Sequence, residues 1–235
     1  MRPDRSYINW IWYVNLSIFL AITVFYISFN APSFLIGSYW QIESKYWIYL
    51  ALFIPIVHQL YVAIVWHLQL NYKSISNLFG KQGFLVYKIV FLLLLALNLV
   101  SITILSLSNC NSIELSSLTK LILSSVLLTA AAYLWYSLIK YFGIDQAVGI
   151  DHFEPELARK KGMVNKGIFK YINNSMYVVG LSILYLPAIV LESKSGLLLA
   201  FFNHLYIWVH YFLIEKPDIQ KIYLDSSIDT EAKAL

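Results

Sequence analysis

Six stretches of the chain are long and apolar enough to cross a bilayer, at about 8–29, 46–70, 84–106, 118–142, 175–191 and 196–214. That feature excludes nearly every soluble architecture. A hydrocarbon core takes roughly 20 helical residues to cross, and within it every backbone N–H and C=O must be paired by the chain itself, which leaves helices or closed barrels. The apolar runs are continuous rather than alternating, so helices are expected. Composition agrees, with 59% hydrophobic and 13% charged residues. The first run starts within ten residues of Met1, is rich in bulky aromatics and lacks a small-residue cleavage pattern, so it reads as a retained span. The expected fold is all-α: a polytopic membrane helix bundle of about six transmembrane helices, ending in a helical hairpin. A single cysteine, Cys110, excludes an intramolecular disulfide and every multi-cysteine metal motif. No metal is expected.

Charge then orients the bundle. Of the 17 Lys and Arg, only Lys45, Lys120 and Lys194 fall on one side of the expected spans, and the other fourteen fall on the opposite side. Basic residues gather in cytoplasmic loops, so both termini and the segment 143–173 are expected to face the cytoplasm. The formal charge of +4 is thereby read as a topology signal, and no nucleic-acid partner is expected. Three regions follow: an N-terminal four-helix membrane region, 1–142; an interfacial cytoplasmic loop, 143–173; and a C-terminal hairpin and tail, 174–235. The loop holds four glycines and Pro155, which argue against one continuous helix. Interleaved apolar residues suggest short helical pieces along the interface. Only "ESKSG", 192–196, separates the last two runs, with Gly196 expected to ease the turn.

Polar residues inside spans point to candidate function. His58 and Gln59 stand near mid-depth beside Pro55, where a proline-freed carbonyl asks for a polar neighbour, so a structural role is the simpler reading there. In the last run, His204, Trp208, Tyr211 and Glu215 fall at helical spacing along one stripe, and Asn203 with His210 forms another, rotated by about 100°. Glu215 precedes Lys216 and Pro217 at the expected end of the helix, unfavourably placed for the macrodipole. A cationic partner, either Lys216 or a ligand, would account for it. Antiparallel packing of the hairpin would bring "NNSMY", 173–177, beside Tyr211 and Glu215. Backbone N–H groups suit a carboxylate, and a carboxylate among aromatic rings suits an amine or other cation. Amino acids, S-adenosylmethionine and phospholipid head groups all qualify as ligands.

The last 60 residues or so resemble the phospholipid methyltransferases, in particular phosphatidylethanolamine N-methyltransferase, with isoprenylcysteine carboxyl methyltransferase a more distant relative. "INNSMYVVG" is similar to the family's Asn-Pro-Met-Tyr segment, "SKSGLLLA" to its hairpin turn and "IEKPDIQKIY" to its Glu-Glu-Pro run followed by Ile-Tyr. The chain departs from the pattern at Ser175, which replaces proline, at Lys216, which replaces the second Glu, and at Val179, which replaces glycine just before Gly180. The resemblance implies S-adenosylmethionine held between the last two helices, and methyl transfer to a membrane lipid such as phosphatidylethanolamine that enters from the bilayer. Carried over by position, Asn174, Met176, Tyr177 and Glu215 match the motif. The expected cofactor-binding set is Asn173, Asn174, Ser175, Tyr177, Gly180, Tyr211 and Glu215. Glu215, with His210 or His152 as a base, is the expected catalytic set; Lys166, Lys170 and Trp208 are the expected substrate contacts. Other acceptors (a prenylcysteine carboxylate, a thiol or another lipophile) remain open, as does a non-enzymatic transporter or scaffold. A membrane reductase would need nicotinamide binding, and no dinucleotide fingerprint is present.

Overall fold

The structure is a computed structural model that describes residues 5–162 and 164–223. Arg2, Lys233 and the final residues of the expected third region lie outside the described residues. The bundle is all-α, apart from a two-stranded hairpin, Ser38–Tyr39 with Ile42–Glu43. Four long helices follow the expected spans closely: α1 (Arg5–Asn30), α2 (Ser44–Tyr72), α4 (Gly83–Ser108, after the short α3, Ser74–Phe79) and α5 (Ser117–Ser137). The segment after α5 is broken into short pieces, among them α6 (Ile144–Ala147) and α7 (Pro155–Lys161).

The last two crossings differ from one another. A 15-residue stretch, Met176–Val190, is shorter than the others. It winds first as a π turn (Met176–Gly180), then as a 3-10 turn (Leu181–Leu184), and becomes α8 only at Tyr185–Val190. The final crossing is α9 (Lys194–His210), which passes through a π turn (Tyr211–Glu215) into α10 (Lys216–Tyr223). The helical path therefore does not end at Glu215, as the sequence suggests through Pro217. A proline removes one N–H and crowds the carbonyl four residues back, and the wider π turn immediately before it relieves that crowding. The macrodipole argument for a cation at Glu215 falls away with this correction, and the case for one rests on the neighbours of that carboxylate.

Helix α9 is the hub, packed on α1, α2, α4 and α8. Its contact with α1 centres on Tyr13 and Tyr206, both fully buried, with stacked rings 6.2 Å apart. Helix α5 stands on the far side and touches the body through the short crossing rather than through α4. The turn of the hairpin lies at Glu192, whose φ is 56°; Gly196 is already inside α9. Its own role is close approach: a Cβ there would lie 2.2 Å from Ser106 Oγ and 2.8 Å from Ala188 Cβ. At this end of the bundle Asn109 ties three loops together. Its Nδ2 donates to the carbonyls of Ser33 and Ile36, and its Oδ1 accepts from Ser112, Ser193 and the N–H of Ser195.

Candidate functional site

The site forms where the short crossing runs antiparallel to α9, at the end of the bundle that carries residues 143–175. Two tyrosines eight residues apart meet the aromatic stripe of α9. Tyr185 faces His204, with ring centroids 5.9 Å apart, and Tyr177 meets Trp208 at 6.1 Å and Tyr211 at 5.8 Å. Trp208 and Tyr211 in turn are edge to face at 5.7 Å. Three rings thus contact one another pairwise. The Tyr177 hydroxyl donates to the Glu215 carboxylate within this group, so the structure brings Tyr177, Trp208, Tyr211 and Glu215 together.

The head of the crossing is shaped by Asn174, which adopts a left-handed φ of 51°. Its carbonyl accepts from the N–H groups of Tyr177 and Val178, and so starts the π turn. Asn173 is exposed, whereas Ser175 is fully buried with no partner for its hydroxyl among the described residues. The departure at Val179 has a packing reason: the side chain fills a cluster with Leu134, Leu138 and Ile168, while the neighbouring Gly180 lines the cavity described next. Lys216 reaches the face of Phe212, 5.7 Å from the ring centre. Lys166 and Lys170 stand apart on the exposed surface of the loop, the latter over the ring of Tyr171 at 5.6 Å.

Beside the aromatic group lies a cavity of about 560 Å³, walled by α2, α4, α5, the short crossing and α9. Tyr177 lines it on one side and His210 on the other. Leu95, Leu99 and Trp135 line it too, yet are also 38% to 58% exposed. They belong to α4 and α5, which scarcely touch each other, so the cavity opens sideways between these two helices toward the apolar surroundings.

Both candidate bases approach this cavity. His210 is 1% exposed and lines it directly, with neither ring nitrogen paired among the described residues. His152 comes from the loop and is stacked on Trp66 of α2, with centroids 4.0 Å apart; Trp66 also meets His210, at 5.6 Å. The far nitrogen of His152, Nε2, lies 3.3 Å from Asp218 Oδ2 of α10. Gly149 permits this stack, because a Cβ there would come within 2.5 Å of the Trp66 ring. Trp66 is the residue that the sequence reading missed. It lies in a run of bulky apolar residues where nothing marks it out, and only the fold sets it between the two histidines.

No curated protein and no solved structure matches the chain at a significant level. A family model does match, under the description "Phospholipid methyltransferase", from residue 119 to residue 226. The match begins at α5 and includes every residue of the Tyr177–Glu215 group. Over residues 119–226 the chain is thus similar to the phospholipid methyltransferases, and five of its helices are long and apolar enough to cross a membrane.

Proposed function

We propose that the protein transfers a methyl group from S-adenosylmethionine to a lipid acceptor. A lipid amine such as phosphatidylethanolamine is the acceptor that the family resemblance implies. The observation that carries this reading is the position of Tyr177: it bonds Glu215 within an aromatic group on one face and lines a sideways-opening apolar cavity on the other. One side chain thus separates a place suited to a cation from a place suited to a lipid.

The residues fit the cofactor. Glu215 offers a carboxylate to an ammonium, and the rings of Tyr177, Trp208 and Tyr211 offer π faces to an ammonium or a sulfonium. When bound, S-adenosylmethionine supplies a methyl group already activated by positive sulfur. The protein's own work is alignment, exclusion of water and removal of one proton. The bundle walls keep water out. His210, without a hydrogen-bond partner among the described residues, stands at the cavity wall where it could take the proton from an amine, and the His152–Asp218 pair behind Trp66 lies on the way to the loop surface. On this reading the active site lies at the end of the bundle that carries residues 143–175, the end that the distribution of basic residues leads one to expect in the cytoplasm.

The test is direct. The purified protein in mild detergent, titrated calorimetrically with S-adenosylmethionine and with its demethylated product, is expected to bind both at micromolar concentration. No binding at that concentration would remove the methyl-transfer reading and favour a scaffold.

A further inference from the structure

The acceptor side of the site carries an inference that rests on the reading just given. Two walls of the cavity, α2 and α4, precede residue 119 and lie outside the family match. They bring polar groups to a space that a lipid tail alone would leave apolar. His58 of α2 is 3% exposed, and its Nε2 has no partner among the described residues. Asn98 of α4 is equally buried; its Nδ2 donates to Asn203 Oδ1 at 2.6 Å, and its own Oδ1 has no partner among the described residues. His210 faces the same space from α9. Buried polar atoms are ordinarily paired. Three such residues, all lining one cavity and all with an atom to spare, are complementary to polar atoms of a ligand rather than to an acyl chain.

Charge narrows the class. Among the described residues, none that lines the cavity is Lys, Arg, Asp or Glu. A phosphodiester or a carboxylate inside it would be buried without a counter-charge, which costs far more than bonds from neutral side chains return. A hydroxyl, thiol, neutral amine or amide meets no such penalty. In phosphatidylethanolamine the phosphate is separated from the amine by two carbons and would follow it inward.

We propose that the cavity selects an uncharged lipophilic acceptor carrying one or two hydrogen-bonding groups, read by His58, Asn98 and His210, and that it excludes phosphate-bearing lipids. The acceptor class is then set by the two helices that the family match does not cover.

A membrane lipid extract from cells that make the protein, separated into phosphate-containing and phosphate-free fractions and presented in mixed micelles with methyl-labelled S-adenosylmethionine, tests this. Label is expected in the phosphate-free fraction only. Label in the phosphate-containing fraction overturns the proposal, and so does the absence of label from both fractions while the cofactor is bound. His58→Leu and Asn98→Leu are each expected to raise the half-saturating concentration of the labelled acceptor tenfold or more, with the calorimetric Kd for the cofactor within twofold of the unaltered protein. That Kd shows that the variants are folded, and unchanged acceptor saturation would remove the assigned roles. If the unaltered protein binds no cofactor, methyl transfer itself fails and this proposal falls with it, an outcome distinct from binding without the expected acceptor.

Discussion

The hydroxyl of Tyr177 donates a hydrogen bond to the carboxylate of Glu215 across the C-terminal hairpin. The bond joins the two most distinctive segments of the sequence, "NNSMY" and "IEKPD", which lie 38 residues apart. Glu215→Gln removes the only formal charge of the aromatic group while keeping its size. Hydrogen bonds to charged groups contribute about 1.5–3 kcal/mol, so the cofactor Kd is expected to weaken by roughly ten- to a hundredfold. Tyr177→Phe keeps the ring and loses one donor, and a smaller, several-fold loss is expected. Calorimetry on both variants checks the order. A reversed order would show that the hydroxyl, rather than the carboxylate, holds the ligand.

In the proposed reaction His210 acts on the acceptor and His152 supports it. His210 lines the cavity, whereas His152 reaches it only across Trp66. General bases contribute about 10²–10⁴-fold to rate. His210→Gln is therefore expected to lower kcat by a hundredfold or more, with the cofactor Kd unchanged. His152→Gln is expected to cost less, because its ring meets the cavity only through Trp66. Single-turnover rates with labelled methyl donor distinguish the two; equal losses would make both structural.

Much of this arrangement is legible in the sequence, and the reasons differ by element. Helices α1, α2, α4 and α5 follow from apolar length, because a bilayer leaves the backbone no other choice. The two stripes of the last helix are also readable: His204, Trp208 and Tyr211 do face the short crossing, and Asn203 with His210 does face the cavity. The π turns at 176–180 and 211–215 are not readable, because no residue type marks them and runs this apolar carry hydrophobic residues on every face. The continuation of α9 past Pro217 depends on such a turn. His58 reads as a packing residue from sequence because its neighbour Pro55 offers a local explanation, whereas the cavity beside it exists only once five helices are assembled.

The end of the bundle away from the site depends on Asn109. This buried side chain joins the loops after α1, after α4 and before α9 through five hydrogen bonds. Asn109→Ala leaves several buried donors and acceptors without partners, at a cost of about 1–3 kcal/mol for each group that water cannot reach. The expected result is a clear drop in the denaturation midpoint in detergent, with the cofactor Kd retained at low temperature. Loss of cofactor binding before unfolding would instead show that the two ends of the bundle are coupled.

Close packing at Gly196 makes a second stability prediction. Gly196→Ala places a methyl where Ser106 Oγ and Ala188 Cβ already stand, and overpacking of this kind costs about 1–3 kcal/mol. Ser106→Ala in the same chain removes the nearer obstacle and is expected to recover part of the loss. A double-mutant cycle of unfolding free energies measures the recovery. Strict additivity of the two changes would mean that α9 shifts as a body, with no specific clash to relieve.

Asp151 gives the stability a pH dependence of definite sign. It lies in the loop beside His152 and accepts from Gln146 Nε2 at 2.5 Å and from Tyr223 Oη at 2.7 Å. Burial raises its pKa above the ordinary value of an aspartate, and the bond from Tyr223 offsets this only in part. The folded protein therefore holds this proton more tightly than the unfolded chain does. The contribution to stability is fully present below the unfolded value, about pH 4, and is lost as pH rises through the folded value. Asp151→Asn cannot titrate, so the stability of the unaltered protein is expected to fall relative to the variant from about pH 4 upward. Chemical unfolding of both proteins in detergent at intervals from pH 4 to 7 gives the difference directly. A difference that grows in favour of the unaltered protein over that range would show that Gln146 and Tyr223 stabilise the carboxylate by more than its burial costs.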